Sequence, residues 1–259
     1  MMTSLYSAAT GMNAQQVNMD VISNNLANVD TNGFKKSRAD FQDLMYQTDK
    51  APGRGNGSGN PTGLQIGTGV RTVGTKKMFT TGNFKQTGNA FDVAIEGQGF
   101  FQVRMPDGTI SYTRNGSFNA DRDGNLVNSD GYFLEPNITI PQGSSDLDIS
   151  QEGIVSVDVN GNIQNLGVIQ LANFINPTGL MNVGKNLYKA SEASGNPVVA
   201  NPGQGNLGTL IQNTLETSNV KIVNEMVDMI AAQRAYEINT KTINTADQML
   251  QAANNLKRG

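Results

Sequence analysis

The 259-residue chain has no Cys, His or Trp. Without Cys or His, Cys–His and Ser–His nucleophile pairs and ordinary zinc sites are excluded. The lack of Cys removes any disulfide framework and leaves the redox compartment open. Charge is also scarce, at 16% of residues against about 25% in an ordinary globular domain. The net charge is −3 and no basic cluster stands out, so nucleic acid is not an expected partner. No apolar run is long enough to span a bilayer, so no membrane insertion is expected. The amino terminus lacks the positive segment and continuous apolar stretch of a secretory signal. Its first charged side chain is Asp20. So uncharged a stretch solvates poorly, and is expected to bind something or to stay unfolded until assembly.

Two stretches carry a sevenfold repeat. From Thr217 to Leu256, one series is Ile222, Met229, Tyr236, Ile243 and Leu250, and a second is Ala232, Asn239, Ala246 and Ala253. This is the pattern of a helix that pairs lengthwise with other helices. Ser218 or Asn219 is placed to cap its start. At 1.5 Å per residue it would be roughly 60 Å long, so it needs a partner along most of its length. Residues 3–27 repeat the pattern, with Leu5, Met12, Met19 and Leu26 in one series and Ala8, Gln15 and Ile22 in the other. Heptad helices at both termini suggest a folded-back rod with an outboard domain; the blander alternative is two helices covering one globular core. Arg234, beside Tyr236 and three residues before Glu237, is either half of a solvated helix-face ion pair or a contact that fixes register between subunits.

The middle of the chain reads differently. Residues 27–35 form a helix exit, in which Asn and Asp bond nearby backbone, Gly33 supplies positive φ and Phe34 anchors the turned chain. Phe41, Leu44 and Met45 fit a short helix or an extended strip. Residues 51–63 hold five Gly and two Pro, which suits a flexible surface loop. Leu64 to Val70 returns to short strand-like alternation. From Asn89 to about Leu187, short strands are separated by turns at Pro106-Asp107-Gly108, Asp123-Gly124-Asn125 and Asn160-Gly161-Asn162, which predicts a small sandwich or barrel. Residues 188–214 have little period.

Tempting sites fade on inspection. Asp121-Arg122-Asp123-Gly124-Asn125 lacks the third ligand and the bidentate Glu of a calcium loop. Gly97-Gln98-Gly99 opens no helix, so a phosphate there would lack a dipole. Asp146 and Asp148 read as solvated loop charges, and the methionines as adaptable packing. No catalytic residue, cofactor or metal is expected.

Several stretches nevertheless point to a family. Residues 24–35, including Ala27, Asn28, Thr31, Gly33, Phe34 and Lys35, resemble the signature of bacterial flagellar rod and hook proteins. The carboxy-terminal stretches Glu216-Thr217-Ser218-Asn219-Val220, Met226 to Ile230 and Gln233 to Asn239 resemble the matching end. Gly97 to Phe101 and Tyr112 to Phe118 resemble the middle domain. The insertion around Pro52, Gly53 and Gly63, followed by Leu64, Ile66 and Val70, is most similar to the distal rod branch, in which the insertion braces neighbouring subunits.

The resemblance implies an α+β fold in nested pieces. Residues 1–34 with 212–259 form an elongated, coiled-coil-like helical assembly domain. Residues 35–88 with 188–211 form an extended connector that includes the insertion 51–63, and residues 89–187 form the β domain. It also implies a structural subunit, not an enzyme, that self-assembles through its terminal helices into a rigid helical tube transmitting torque across the periplasm. Leu5, Met12, Met19, Ile22, Leu26, Ile222, Met229, Tyr236, Ile243, Leu250 and Arg234 would lie at subunit contacts. Implied partners are further copies, proximal rod subunits below, hook subunits above, the surrounding L- and P-ring bushing and the flagellar type III export apparatus, which takes the chain without a cleaved signal. Alternatives are a proximal rod or hook subunit, or a coiled-coil binding module or adhesin. Peptidoglycan hydrolysis would suit such a location, but no convergent polar constellation supports it.

Overall fold

The computed structural model describes residues 2–50, 63–144, 146–159 and 161–256. The chain separates into two compact units, one made of residues 1–27, 37–76 and 221–259 and the other of residues 28–36 and 77–220.

The helical unit holds α1 (Met2–Ala27), four strands and α2 (Ile222–Leu256). The helices pack against each other through small residues. Ala8, Ala14 and Ile22 of α1 and Ala232 and Ala246 of α2 are buried, and a Cβ on Gly11 would lie 3.0 Å from the Asn239 amide. Small side chains let two backbones approach closely, and that selects the Ala232 series over the bulkier Ile222 series for the intrachain contact. The strands β1 (Ser37–Asp43), β2 (Tyr46–Lys50), β3 (Leu64–Gly67) and β4 (Val70–Lys77) form a ribbon in which β1 pairs with β4 and β2 with β3. Phe41 therefore lies in β1, and Leu44 and Met45 form the link from β1 to β2. Gly69 has φ +128° and an added Cβ would strike the Thr10 hydroxyl of α1, so only glycine lets the ribbon rest there.

The β unit contains the remaining strands. In chain order they are β5 (Phe84–Gln86), β6 (Val93–Glu96), β7 (Phe100–Arg104), β8 (Ile110–Thr113), β9 (Phe118–Ala120), β10 (Leu126–Asn128), β11 (Phe133–Glu135) and β12 (Leu147–Ile149). They continue with β13 (Ile154–Val159), β14 (Asn162–Val168), β15 (Leu171–Asn173), β16 (Met181–Gly184), β17 (Leu187–Lys189), β18 (Val198–Ala200), β19 (Thr209–Gln212) and β20 (Thr214–Glu216). Among the described residues the largest sheet runs β16-β17-β8-β7-β11-β10-β9, with β15 bridging β7 and β18; β12-β13-β14 form a second sheet, and β19-β6 and β20-β5 are separate pairs.

β7 shows why the core sits where it does. Four of its five residues are buried, because successive side chains point to opposite faces and both faces are covered. Phe101 and Val103 join one apolar cluster with Ile95, Phe118, Leu134 and Leu171, whereas Phe100 joins another with Tyr112, Phe174 and Tyr188. Phe101 meets Phe118 edge to face at 5.1 Å, and Tyr112 meets Phe174 at 4.8 Å. The expected turns are present: Gly108, Gly124 and Gly161 have φ of +80°, +82° and +83°, though Asn160 lies outside the described residues.

The boundaries differ from those the sequence suggests. The β unit reaches Val220 instead of stopping near residue 187, because β18, β19 and β20 pair back onto β15, β6 and β5. Backbone pairing needs no side-chain alternation, so residues 188–214 form strands without a visible period. The expected connector is divided: residues 37–76 belong with the helices and residues 77–88 with the β unit.

Candidate functional site

Two features stand out, one in each unit. In the helical unit it is the solvent face of α2. Ile222, Val223, Met226, Val227, Ile230, Tyr236, Ile238, Met249 and Leu250 are all more than a third exposed. In the first turns, Val223, Val227 and Ile230 cover faces of α2 away from the Ala232 series. An exposed apolar face of this extent normally marks a surface that another molecule covers. The two heptad series therefore part company: Ala232 and Ala246 face α1, while Ile222, Tyr236 and Leu250 stay open and Met229 and Ile243 are half-buried. On α1, Leu5, Met12, Met19 and Leu26 are half-buried and Ile22 is buried. Arg234 is exposed and makes no ion pair among the described residues.

Within the same unit, Asn25 is buried and makes three hydrogen bonds to two residues. Its amide nitrogen donates to the Ser37 carbonyl at 2.9 Å and to Glu225 Oε2 at 3.1 Å, and its oxygen accepts from the Ser37 N–H at 2.8 Å. It fixes α1, β1 and α2 to one another. The ribbon presents Met45, Tyr46, Leu64 and Ile66 to solvent. Gly63 is exposed as well, and Pro52 and Gly53 lie outside the described residues.

In the β unit the family motif forms a clamp. Ala27 ends α1 in the helical unit; from Asn28 onward the segment belongs to the β unit. The Thr31 hydroxyl donates to Asn28 Oδ1, and the Phe34 N–H donates to the Thr31 carbonyl, closing the turn. Gly33, with φ +69°, donates its N–H to the Glu216 carbonyl at 2.8 Å. Phe34 is buried beneath the Lys77 ammonium, 4.3 Å from the ring centre.

Lys35 is fully buried, and its ammonium donates to Glu216 Oε1 at 2.6 Å and to the Thr80 carbonyl at 2.8 Å. Arg114 approaches the other carboxylate oxygen at 3.0 Å and donates to the carbonyls of Gly99 and Ile95. The Gly82 N–H completes the set at 2.8 Å. Burial pushes the Glu216 carboxyl upward, but Arg114 and Lys35 and their hydrogen bonds outweigh it and hold it below the usual carboxylate value. Burial, helped by Arg114, pulls Lys35 below the usual lysine value against the attraction of Glu216.

Ser218 and Asn219 do not cap α2, which starts at Ile222. Asn219 instead accepts from the Lys36 N–H and donates to Met78 and Thr80, and Ser218 accepts from the Val220 N–H. The sequence singles out Asn219 only as a helix cap, and none of Arg114, Glu216 and Asn25 as a site residue in its own right. Each is one polar residue in a mixed segment, and only the folded chain shows what it meets. Among the described residues no cluster of acidic side chains could hold a metal ion, and no helix is long and apolar enough to cross a membrane.

Comparison with known proteins bears on both features. Residues 5–35 match the model of the flagella basal body rod protein, residues 94–157 that of the flagellar hook protein FlgE/F/G D1 domain, and residues 211–256 that of the flagellar basal body rod FlgEFG protein C-terminal region. The chain is 52% identical to the flagellar basal-body rod protein FlgG of Buchnera aphidicola subsp. Schizaphis graminum, over 99% of this chain and 100% of that one. It is 48% identical to that of Borreliella burgdorferi over 100% of both chains. Against the flagellar hook protein FlgE of Escherichia coli it is 26% identical, over 96% of this chain and 99% of the other. The chain belongs to the family of flagellar basal-body rod proteins FlgG.

Proposed function

We propose that the chain is a structural subunit of the flagellar distal rod, building a helical tube that transmits torque across the periplasm. The observation that carries this reading is the open apolar face of α2. Burying each such side chain contributes about 1.5–3 kcal/mol, and α1 covers few of them. Further copies of the chain are the fitting cover, with the helices running alongside their neighbours in coiled-coil fashion. Ile222, Tyr236 and Leu250 then become contacts between copies, and Arg234 sets their register. Because the open face of one copy meets a different surface on the next, the contact is heterologous and need not close, and repetition gives a filament. The exposed ribbon and the insertion at its tip brace neighbouring copies.

The role is structural, not catalytic. Proximal rod subunits lie below, hook subunits above and the L- and P-rings around, and the chain reaches its place through the type III export apparatus. The greater identity to rod relatives than to the hook relative supports rod over hook.

Electron microscopy of the purified full chain over a concentration series tests this. Straight tubes are expected, and Val223→Asp/Val227→Asp/Ile230→Asp should keep its helix content but stay monomeric. A wild-type chain that stays monomeric even when seeded with flagellar basal bodies refutes the reading.

A further inference from the structure

The buried triad links residues remote in sequence. Lys35 and Glu216 are 181 positions apart, and Arg114 and Glu216 102 apart. Lys35 and Arg114 lie close enough to oppose each other's charge, and Glu216 is the carboxylate that contacts both. Its two oxygens are spoken for by Lys35, Gly82 and Arg114, and no buried side-chain polar atom among the described residues lacks a partner. Until Glu216 arrives, closing the β unit would strand two cations away from water. Lys35 could shed its proton, but Arg114 could not. Removing one partner of a buried ion pair is strongly destabilising.

A second observation points the same way. β6, whose Val93, Ala94 and Ile95 are buried, pairs among the described residues with β19, and β5 pairs with β20. The last strands of the unit thus complete its first ones.

We propose that the Lys35–Arg114–Glu216 triad is a folding latch: the β unit closes only once Glu216 is present, and a chain that ends earlier stays unfolded. For its usefulness, though not for its test, the latch rests on the proposed role above. A subunit threaded through a narrow export channel must not fold before it is complete.

The test is pulsed hydrogen exchange read by mass spectrometry during refolding of the full chain. In the wild type, amides of β7 and β8 should gain protection with the time constant of β20, within about twofold. In Lys35→Met/Arg114→Met/Glu216→Leu, which removes all three charges, β7 and β8 should be protected at least tenfold sooner than β20. Wild-type β7 and β8 protected tenfold ahead of β20 overturns the latch, and that measurement needs no variant to fold. At equilibrium, Glu216→Gln should lose protection in β7 and β8 by a hundredfold or more; wild-type protection there overturns it as well. These results stand whether or not tubes form, and a failure to form tubes counts against the rod reading alone.

Discussion

Replacing Gly33 with alanine isolates the contact between the family motif and the rest of the β unit. Gly33 has φ +69°, and an added Cβ would lie 2.6 Å from the Asn115 nitrogen and 2.7 Å from the Arg114 carbonyl carbon. Holding alanine in the left-handed region costs about 1–2 kcal/mol. Both contacted atoms are backbone, so the Arg114–Asn115 turn must retreat by roughly 0.8 Å to restore a 3.4 Å separation. That retreat pulls the Arg114 guanidinium away from acceptors now at 2.7–3.2 Å. Weakening such charged hydrogen bonds costs about 1.5–3 kcal/mol. The expected loss is about 3–5 kcal/mol, or roughly 10–15 °C in Tm for a unit of this size. Gly108→Ala is the control, since Gly108 has φ +80° but nothing within 4 Å of its would-be Cβ; it should lose only the conformational part, about 1–2 kcal/mol. Urea unfolding of the full chain, followed by the near-ultraviolet dichroism of the buried Tyr112 and Tyr188, measures both. Equal destabilisation by the two substitutions would refute the contact argument.

Other outcomes are expected. The β unit should lose stability in acid: the Glu216 carboxyl is held below its ordinary value of 4.5, so its contribution is complete above that pH and is lost as pH falls from there through the depressed value. The urea midpoint should be flat from neutrality to about pH 5 and then fall, and between about pH 5 and neutrality full retention of the midpoint in Glu216→Gln would contradict the pairing. Lys35 acts with the opposite sense: its lowered value means that the charged form opposes folding, and this opposition is relieved as pH rises through that value. Asn25→Leu should cost the helical unit about 2–3 kcal/mol by leaving Ser37 and Glu225 without its amide, read as an earlier loss of helical dichroism. Ala232→Leu should overpack the contact with α1 by about 1–3 kcal/mol; an unchanged helical melt would place Ala232 elsewhere.

The sequence exposed periodic features and hid those made by convergence. The heptads place α1 almost to the residue, because a helix repeats its core contact every seven positions. They do not reveal which series faces α1, since Ala232 and Tyr236 both satisfy an apolar position and only the closeness of the backbones favours the smaller one. Turns at Gly108 and Gly124 are legible because a local conformation demands glycine. Ser218 and Asn219 mislead because a side chain suited to cap a helix is equally suited to bind the backbone of residues 36, 78 and 80. The triad has no local signature at all. Its members lie in segments whose family resemblance is plain, yet nothing in any one segment says that Arg114 and Lys35 share one carboxylate.

The ribbon carries a consequence of its own. All the residues of β2 and β3 are exposed, and the two strands pair with each other alone among the described residues. Each has an outer row of backbone donors and acceptors ready to recruit another strand. Asp49 and Lys50 sit within β2, and charge on an open edge discourages such recruitment. A chain proposed to build one ordered polymer thus carries strand edges that could template another, a cross-β fibre, and the charges of Asp49 and Lys50 disfavour that second route.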